Sequence, residues 1–265
     1  MDSRLASMYR RFTWRILSNY VTPWEFEQLK AQITDYEQWC GAWRAQAAAH
    51  IERGDETLAA GHTVTAADAY LRGTLACHWA SFVFTHDPGQ FRAALADMAA
   101  ALAKAAPLQS PPAELLTVPF EGLSLPGYLR VPPGRSRPPV VLLLPGADSA
   151  KEELYNLADH VVTRGRRRPR PPGPGQGPVS FGSNLRPDQE VAVRAMLDAV
   201  TARPDVDGSR VAVGGISYGG LFSIRTAAAD DRVKAVVSVS SWYTPAGRFA
   251  EMDDLTRPGP PPRPA

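Results

Sequence analysis

Gly215-Ile216-Ser217-Tyr218-Gly219 reads G-x-S-x-G, and its neighbours on both sides give it a setting. Before it stands the β-branched run Arg210-Val211-Ala212-Val213, and after it a helical pattern through Phe222-Ser223-Ile224-Arg225. Strand, sharp turn and helix in that order are what a nucleophile elbow requires. The bend lifts the Ser217 hydroxyl out at the top of a sheet. Gly215 and Gly219 remove side chains where backbones must approach closely. The following helix turns its N-terminal N–H groups and positive dipole end toward the reacting centre. The N–H of Tyr218 is therefore one candidate oxyanion donor. A second is expected from the loop after an earlier strand. Pro145-Gly146-Ala147-Asp148 follows the apolar run Val140–Leu144 and supplies Gly146 and Ala147.

An elbow of this kind expects an acid and then a histidine later in the chain. Here all five histidines (His50, His62, His78, His86, His160) precede Ser217, so no triad histidine stands in the expected position. His78, on the apolar face of a helix beside Trp79, reads as a core histidine satisfied by hydrogen bonds. His160 reads as a last-turn residue interacting with its helix dipole. The aspartates after the serine are Asp230, Asp231, Asp253 and Asp254. The first two come too early for a triad acid and read as a solvated loop. The acid is left unassigned, and no metal ligand set is read.

Working outward, 115–120 and 123–131 read as two strands joined by a turn at Glu121-Gly122. Val140–Leu144 suits a parallel strand buried on both faces. Helices are expected over 152–162 and 187–202, the second with Val193, Met196, Leu197 and Val200 inward, then strand 210–213, the elbow helix to about Ala229, and strand 233–239. Strands alternating with helices predict a doubly wound, mostly parallel α/β sheet. Residues 1 to about 106 read as helical. Thr22-Pro23-Trp24-Glu25 is a capping box with proline at the first helical position. Leu29, Ile33, Tyr36, Cys40, Trp43 and Ala47 then mark one face of a single long helix. Thr65-Ala66-Ala67-Asp68 opens a second helix, striped by Leu71, Leu75, His78, Trp79 and Phe82. Asp87-Pro88-Gly89-Gln90 opens a third. The expected division is a helical region over 1–112 packing on an α/β domain over 113–265.

The 44% hydrophobic content is ordinary for a globular chain, and a net charge of +2 gives no reason to expect nucleic acid or membrane as a partner. Cys40 and Cys77 cannot build a disulfide framework and read as buried thiols in a reducing compartment. No signal peptide and no ~20-residue apolar span is read. A cytoplasmic location is expected. Arg164 to Pro172 invites a nucleic-acid or proline-ligand reading, but it sits where the alternation demands a strand, and proline cannot fill a central one.

From about Thr65 onward the chain resembles α/β-hydrolases of the 2,6-dihydroxypseudooxynicotine hydrolase group, with its polyketide-shortening and esterase-like members. The stretches that carry the resemblance are Leu144 to Glu153, Gly173-Pro174-Gly175-Gln176-Gly177, Leu185-Arg186-Pro187-Asp188 and Gly215 to Gly220. The resemblance implies an α/β-hydrolase fold and cleavage of an ester, or of a carbon–carbon bond beside a carbonyl, in a small-molecule substrate. It implies Ser, Asp and His as the catalytic groups, no metal or other cofactor, a homodimer, and a pocket enclosed by helical region and sheet. Two segments depart from the family. The strand that should lead into Gly173 is replaced by Arg166 to Pro172, and the further strands carrying acid and histidine are replaced by Arg257 to Ala265. Both are rich in Arg, Pro and Gly, as GC-rich DNA read in a wrong frame would be, which suggests frame slips; a naturally degraded gene product is the alternative. The expectation is an incomplete fold, C-terminally truncated, that is impaired or inactive, with an open apolar edge at 233–239. Tyr218, Trp242 and Tyr243 read equally well as the lining of an aromatic-friendly pocket and as core packing.

Overall fold

The computed structural model describes residues 2–134, 136–162, 168–170 (backbone only), 176–177, 179 and 185–241. The chain divides into two compact units, Met1–Ala105 and Ala106–Tyr243.

The first unit is helical: α1 (Ser3–Leu17), α2 (Pro23–Gln32), α3 (Trp39–Ala59), α4 (Thr63–Ser81) and α5 (Pro88–Ala105). The capping box forms as its sequence requires. Thr22 Oγ1 accepts from the Glu25 N–H, and Glu25 Oε2 accepts from the Thr22 N–H. The single long helix behind it is not formed. α2 ends at Ile33, which turns extended, and Asp35 opens a new start, a 3-10 turn over Tyr36–Gln38 leading into α3. Asp35 accepts from the Glu37 N–H while Gln38 Oε1 accepts from the Asp35 N–H. The apolar spacing runs straight through this break, and Leu29, Ile33, Tyr36, Cys40, Trp43 and Ala47 are all buried. α1 is a further helix, capped by Asp2, whose carboxylate accepts from the Arg4 and Leu5 N–H groups. α4 starts at Thr63, ahead of the Thr65 start expected from sequence. Indoles and rings from α3, α4 and the turn after α4 fill the unit's core, where Trp39, Trp43, Trp79, Phe82 and Phe84 lie fully buried. Burial pushes the Cys40 thiol up to about 11 and the Cys77 thiol up to about 12, so both stay protonated at neutral pH.

The second unit is α/β. A hairpin of β1 (Ala113–Phe120) and β2 (Leu123–Arg130) turns at Glu121-Gly122, where both residues have positive φ. β3 (Pro139–Leu144), β5 (Asp207–Ile216) and β6 (Val233–Val239) form a parallel sheet in the order β3-β5-β6. Helices α6 (Tyr155–Val162), α7 (Gln189–Thr201) and α8 (Tyr218–Ala229) alternate with these strands. Val193, Met196, Leu197 and Val200 of α7 are all buried, the first and last two against Val140, Leu142, Val211, Val213 and Phe222. Burial of such apolar surface contributes about 25 cal/mol per Å² to the unit's stability.

The structure corrects the expectation that 166–172 supplies no strand. β4 (Arg168–Arg170) pairs antiparallel with β2, Leu129 opposite Pro169. Pro169 has no N–H to give, so over these three residues the donors β4 can offer fall to Arg168 and Arg170. β4 also runs beside β3, so the hairpin does have a neighbour. Residues 163–167 and 171–175 lie outside the described residues, as do Trp242, Tyr243, Asp253, Asp254 and 257–265.

Among the described residues β6 is hydrogen-bonded on one side only. Val236, Val237 and Val239 are 43, 60 and 46% exposed, so this edge strand carries partly exposed apolar side chains although α8 packs against it. Such an edge templates pairing between chains. The 265-residue chain is expected to self-associate with rising concentration, and Val237→Lys should suppress that association in light scattering. Scattering unchanged by the lysine would remove β6 as the contact.

Candidate active site

The parallel pairing of β3 and β5 sets Leu144 opposite Gly215, so the two strands end side by side at their carboxyl ends. Such strand ends are where open α/β sheets bind ligands. From β5 the chain enters Ser217, which has φ 56 and ψ −119, and goes directly into α8. A non-glycine residue in that region costs about 1–3 kcal/mol and persists only where its surroundings over-determine it. Here they do. The Ser217 N–H donates to Val239 O at 2.8 Å, and the Leu221 N–H donates to Ser217 O at 3.2 Å, locking both sides of the turn. Ser217 itself is partly exposed.

The two elbow glycines are required by contact. A Cβ on Gly215 would collide with the backbone of Gly219 and Gly220, and one on Gly219 with the carbonyls of Leu144 and Pro145, all well inside 3.0 Å. A Cβ on Gly220 would meet Ser238 Oγ at 2.7 Å, so the third glycine lets α8 settle on β6. The N–H of Tyr218 belongs to the first turn of α8, whose amides face out of the helix start. The Tyr218 ring packs edge-on against Phe222, centroids 5.0 Å apart.

The loop after β3 lies against the serine. A Cβ built on Gly146 would stand 3.5 Å from Ser217 Cβ and 3.6 Å from Ile216 O. Gly146 is buried and Ala147 exposed, so the loop rises out of the sheet at the elbow. The Ser149 N–H donates to Gly146 O at 3.2 Å, closing it into a turn. The charged stretch that follows is buried. Lys151 is ion-paired with Glu152, Ser149 Oγ donates to Glu153, and Lys151 Nζ lies 5.0 Å from the Tyr128 ring centre. Burying this pair is costly unless its geometry holds, so removing one partner alone leaves a stranded charge. A cleft beside the elbow is lined by Leu144, Pro145, Gln176, Gln189, Met196, Gly219 and Phe222.

The other candidates fall elsewhere. His78 is 2% exposed in α4, its ring 4.8 Å from that of Trp79 and 5.7 Å from that of Phe82, as a core histidine should be. His50 Nε2 lies 3.1 Å from Glu25 and His86 Nε2 2.8 Å from Glu37. His62 precedes α4, and His160 sits in the last turn of α6. Asp230 corrects the sequence reading: it is 7% exposed rather than solvated, paired with Arg232 at 2.6 Å and Arg194 at 3.6 Å. The Arg232 hydrogen bond holds its carboxyl below the usual range. The charge is taken up structurally. No cluster of His, Cys, Asp or Glu fit to hold a metal occurs among the described residues, and no helix there is long and apolar enough to cross a membrane.

Strand order, elbow and preceding loop define an α/β-hydrolase fold. The chain belongs to the FrsA-like esterase family, whose pattern covers residues 27–244. It is 40% identical over 236 residues to the hydrolyase poxO of Penicillium oxalicum, covering 80% of this chain and 54% of that protein. It is 34% identical over 229 residues to the α/β hydrolase pydG of an Acremonium species, with 81% and 54% covered. To the 2,6-dihydropseudooxynicotine hydrolase of Paenarthrobacter nicotinovorans it is 30% identical over 222 residues, with 83% and 58% covered. The chain therefore spans little more than half the length of these relatives. The crystal structure of 2,6-dihydroxy-pseudo-oxynicotine hydrolase superposes with a TM-score of 0.82 at 26% identity, covering 92% of this chain and 68% of that one.

Proposed function

We propose that this sequence carries the nucleophile and oxyanion half of a serine hydrolase acting on a small carbonyl substrate. The observation that carries the reading is Ser217 in left-handed backbone at the end of β5, between two glycines that admit no side chain, with Gly146 alongside. Ser217 Oγ attacks the carbonyl carbon and its proton passes to a base. The carbonyl oxygen becomes an anion held by the N–H groups of Tyr218 and of Gly146 and Ala147. Collapse expels the alcohol of an ester, or the carbon leaving group where the broken bond is carbon–carbon. The acyl group stays on Ser217 until water releases it as an acid. Similarity to the pseudooxynicotine hydrolase supports the carbon–carbon alternative, and the FrsA-like pattern the ester.

The base is the part these residues do not provide. No histidine follows Ser217. Of the five that precede it, His78 packs among core rings and His50 and His86 lie against carboxylates, while Asp230 is paired with two arginines. The 265-residue polypeptide is thus read as a hydrolase sequence with an unactivated nucleophile. A fluorophosphonate incubated with it for hours is expected to leave its adduct on Ser217 and on no other serine in a peptide map. An adduct spread over several serines, or placed elsewhere, would remove Ser217 from its role.

A further inference from the structure

Gln176 is buried, 6% exposed, in a turn far in sequence from both the elbow and the loop after β3. Its side-chain Nε2 donates to Gly146 O at 2.8 Å and to Pro145 O at 3.3 Å. The assignment of nitrogen and oxygen in this amide is settled by chemistry, since two carbonyl oxygens can accept only from the NH₂ end. Gly177 follows with φ +50, and a Cβ there would stand 3.8 Å from Ala150 Cβ. The turn thus meets the 145–150 loop at two places.

The two carbonyls it holds are informative. A trans peptide unit is planar, with its C=O and N–H pointing in opposite directions. Pro145 O shares its plane with the Gly146 N–H, and Gly146 O shares its plane with the Ala147 N–H. Fixing the two oxygens from one side therefore fixes the direction of the two N–H groups on the other. We propose that Gln176 is a positioning residue that aims the Gly146 and Ala147 amides at the oxyanion. This rests on the oxyanion role proposed above for that loop. Pre-aimed donors need no reorganisation when charge develops, which is the source of their effect. Gln176 touches no reacting atom. It acts through two backbone planes, with Ser149 N–H as a second donor to Gly146 O.

The test is amide nitrogen relaxation by NMR on the full chain and on Gln176→Glu and Gln176→Met. Each variant keeps the side-chain length and removes the donor. The Gly146 and Ala147 order parameters should fall from the rigid range of about 0.85 toward the flexible range below about 0.6 in both variants, with β3, β5 and α8 staying rigid. Unchanged order parameters at 146–147 would overturn the proposal. So would a fall shared equally by the strands and accompanied by a lower melting temperature, which would mark Gln176 as ordinary packing. These outcomes do not depend on Ser217 reacting. Phosphonate capture in the same variants separates the two readings: an adduct on Ser217 formed at the unchanged rate despite loosened amides would leave the brace standing and remove the oxyanion role of the loop.

Discussion

The 265-residue chain should turn over p-nitrophenyl esters about 10⁶-fold below a triad-equipped serine hydrolase, since removing a triad member costs that much and leaves only oxyanion and binding contributions. The same non-additivity makes a sharper statement. Once the base is missing, removing the nucleophile as well costs little more, so Ser217→Ala is expected to change the residual rate by less than about tenfold. Steady-state kinetics on the two proteins checks both. A rate at ordinary enzyme levels of about 10 s⁻¹ that Ser217→Ala abolishes would mean that one of the five histidines, or another group, serves as base after all.

Gly219→Ala and Gly215→Ala should each destabilise the second unit by about 3 kcal/mol or more, at or beyond the upper end of ordinary overpacking. The added methyl would meet backbone rather than a movable side chain: the Leu144 and Pro145 carbonyls in one case, the start of α8 in the other. Relieving the Gly219 collision means pushing the elbow away from β3, which also separates Ser217 from Gly146; relieving the Gly215 collision means lifting the start of α8 off β5. Denaturant unfolding measures the loss. A variant within about 0.5 kcal/mol of the parent, inside the range of a neutral surface change, would show that the elbow is not packed as described. Gly122 provides the contrast: it also has positive φ, but no atom lies within 4 Å of a Cβ built there.

The elbow and its loop were legible because their chemistry is local. Gly215, Ser217 and Gly219 must occupy alternate positions of one five-residue turn, and Val140–Leu144 announces the strand that delivers Gly146. The α/β alternation was legible for the same reason, through the stripe of Val193, Met196, Leu197 and Val200. The break between α2 and α3 was not, because Leu29 through Ala47 keep a helical apolar spacing across it. Only the Asp35–Gln38 capping pair marks a new start, and it competes with a stronger periodic signal. β5 begins earlier than the strand expected over 210–213, at Asp207, which pairs with Pro139. Asp230 looked solvated because Asp-Asp after a helix usually is; its burial is set by the fold, where Arg232 hydrogen-bonds to it and Arg194, distant in sequence, adds a longer ion pair. Gln176 stood in a quoted stretch, yet its partners thirty residues away could not be read from it. β4 was excluded on its prolines, yet Pro169 stands within the ladder, opposite Leu129.

The most direct test of the account is the pH dependence of fluorophosphonate capture at Ser217, followed by peptide mass from pH 6 to 9. An unactivated hydroxyl reacts through its rare deprotonated form, so capture should climb about tenfold per pH unit with no plateau. A profile that levels off near the ordinary histidine range of about 6.5 would show a histidine acting on Ser217 and contradict the missing base. No capture at Ser217 at any pH would contradict the nucleophile itself.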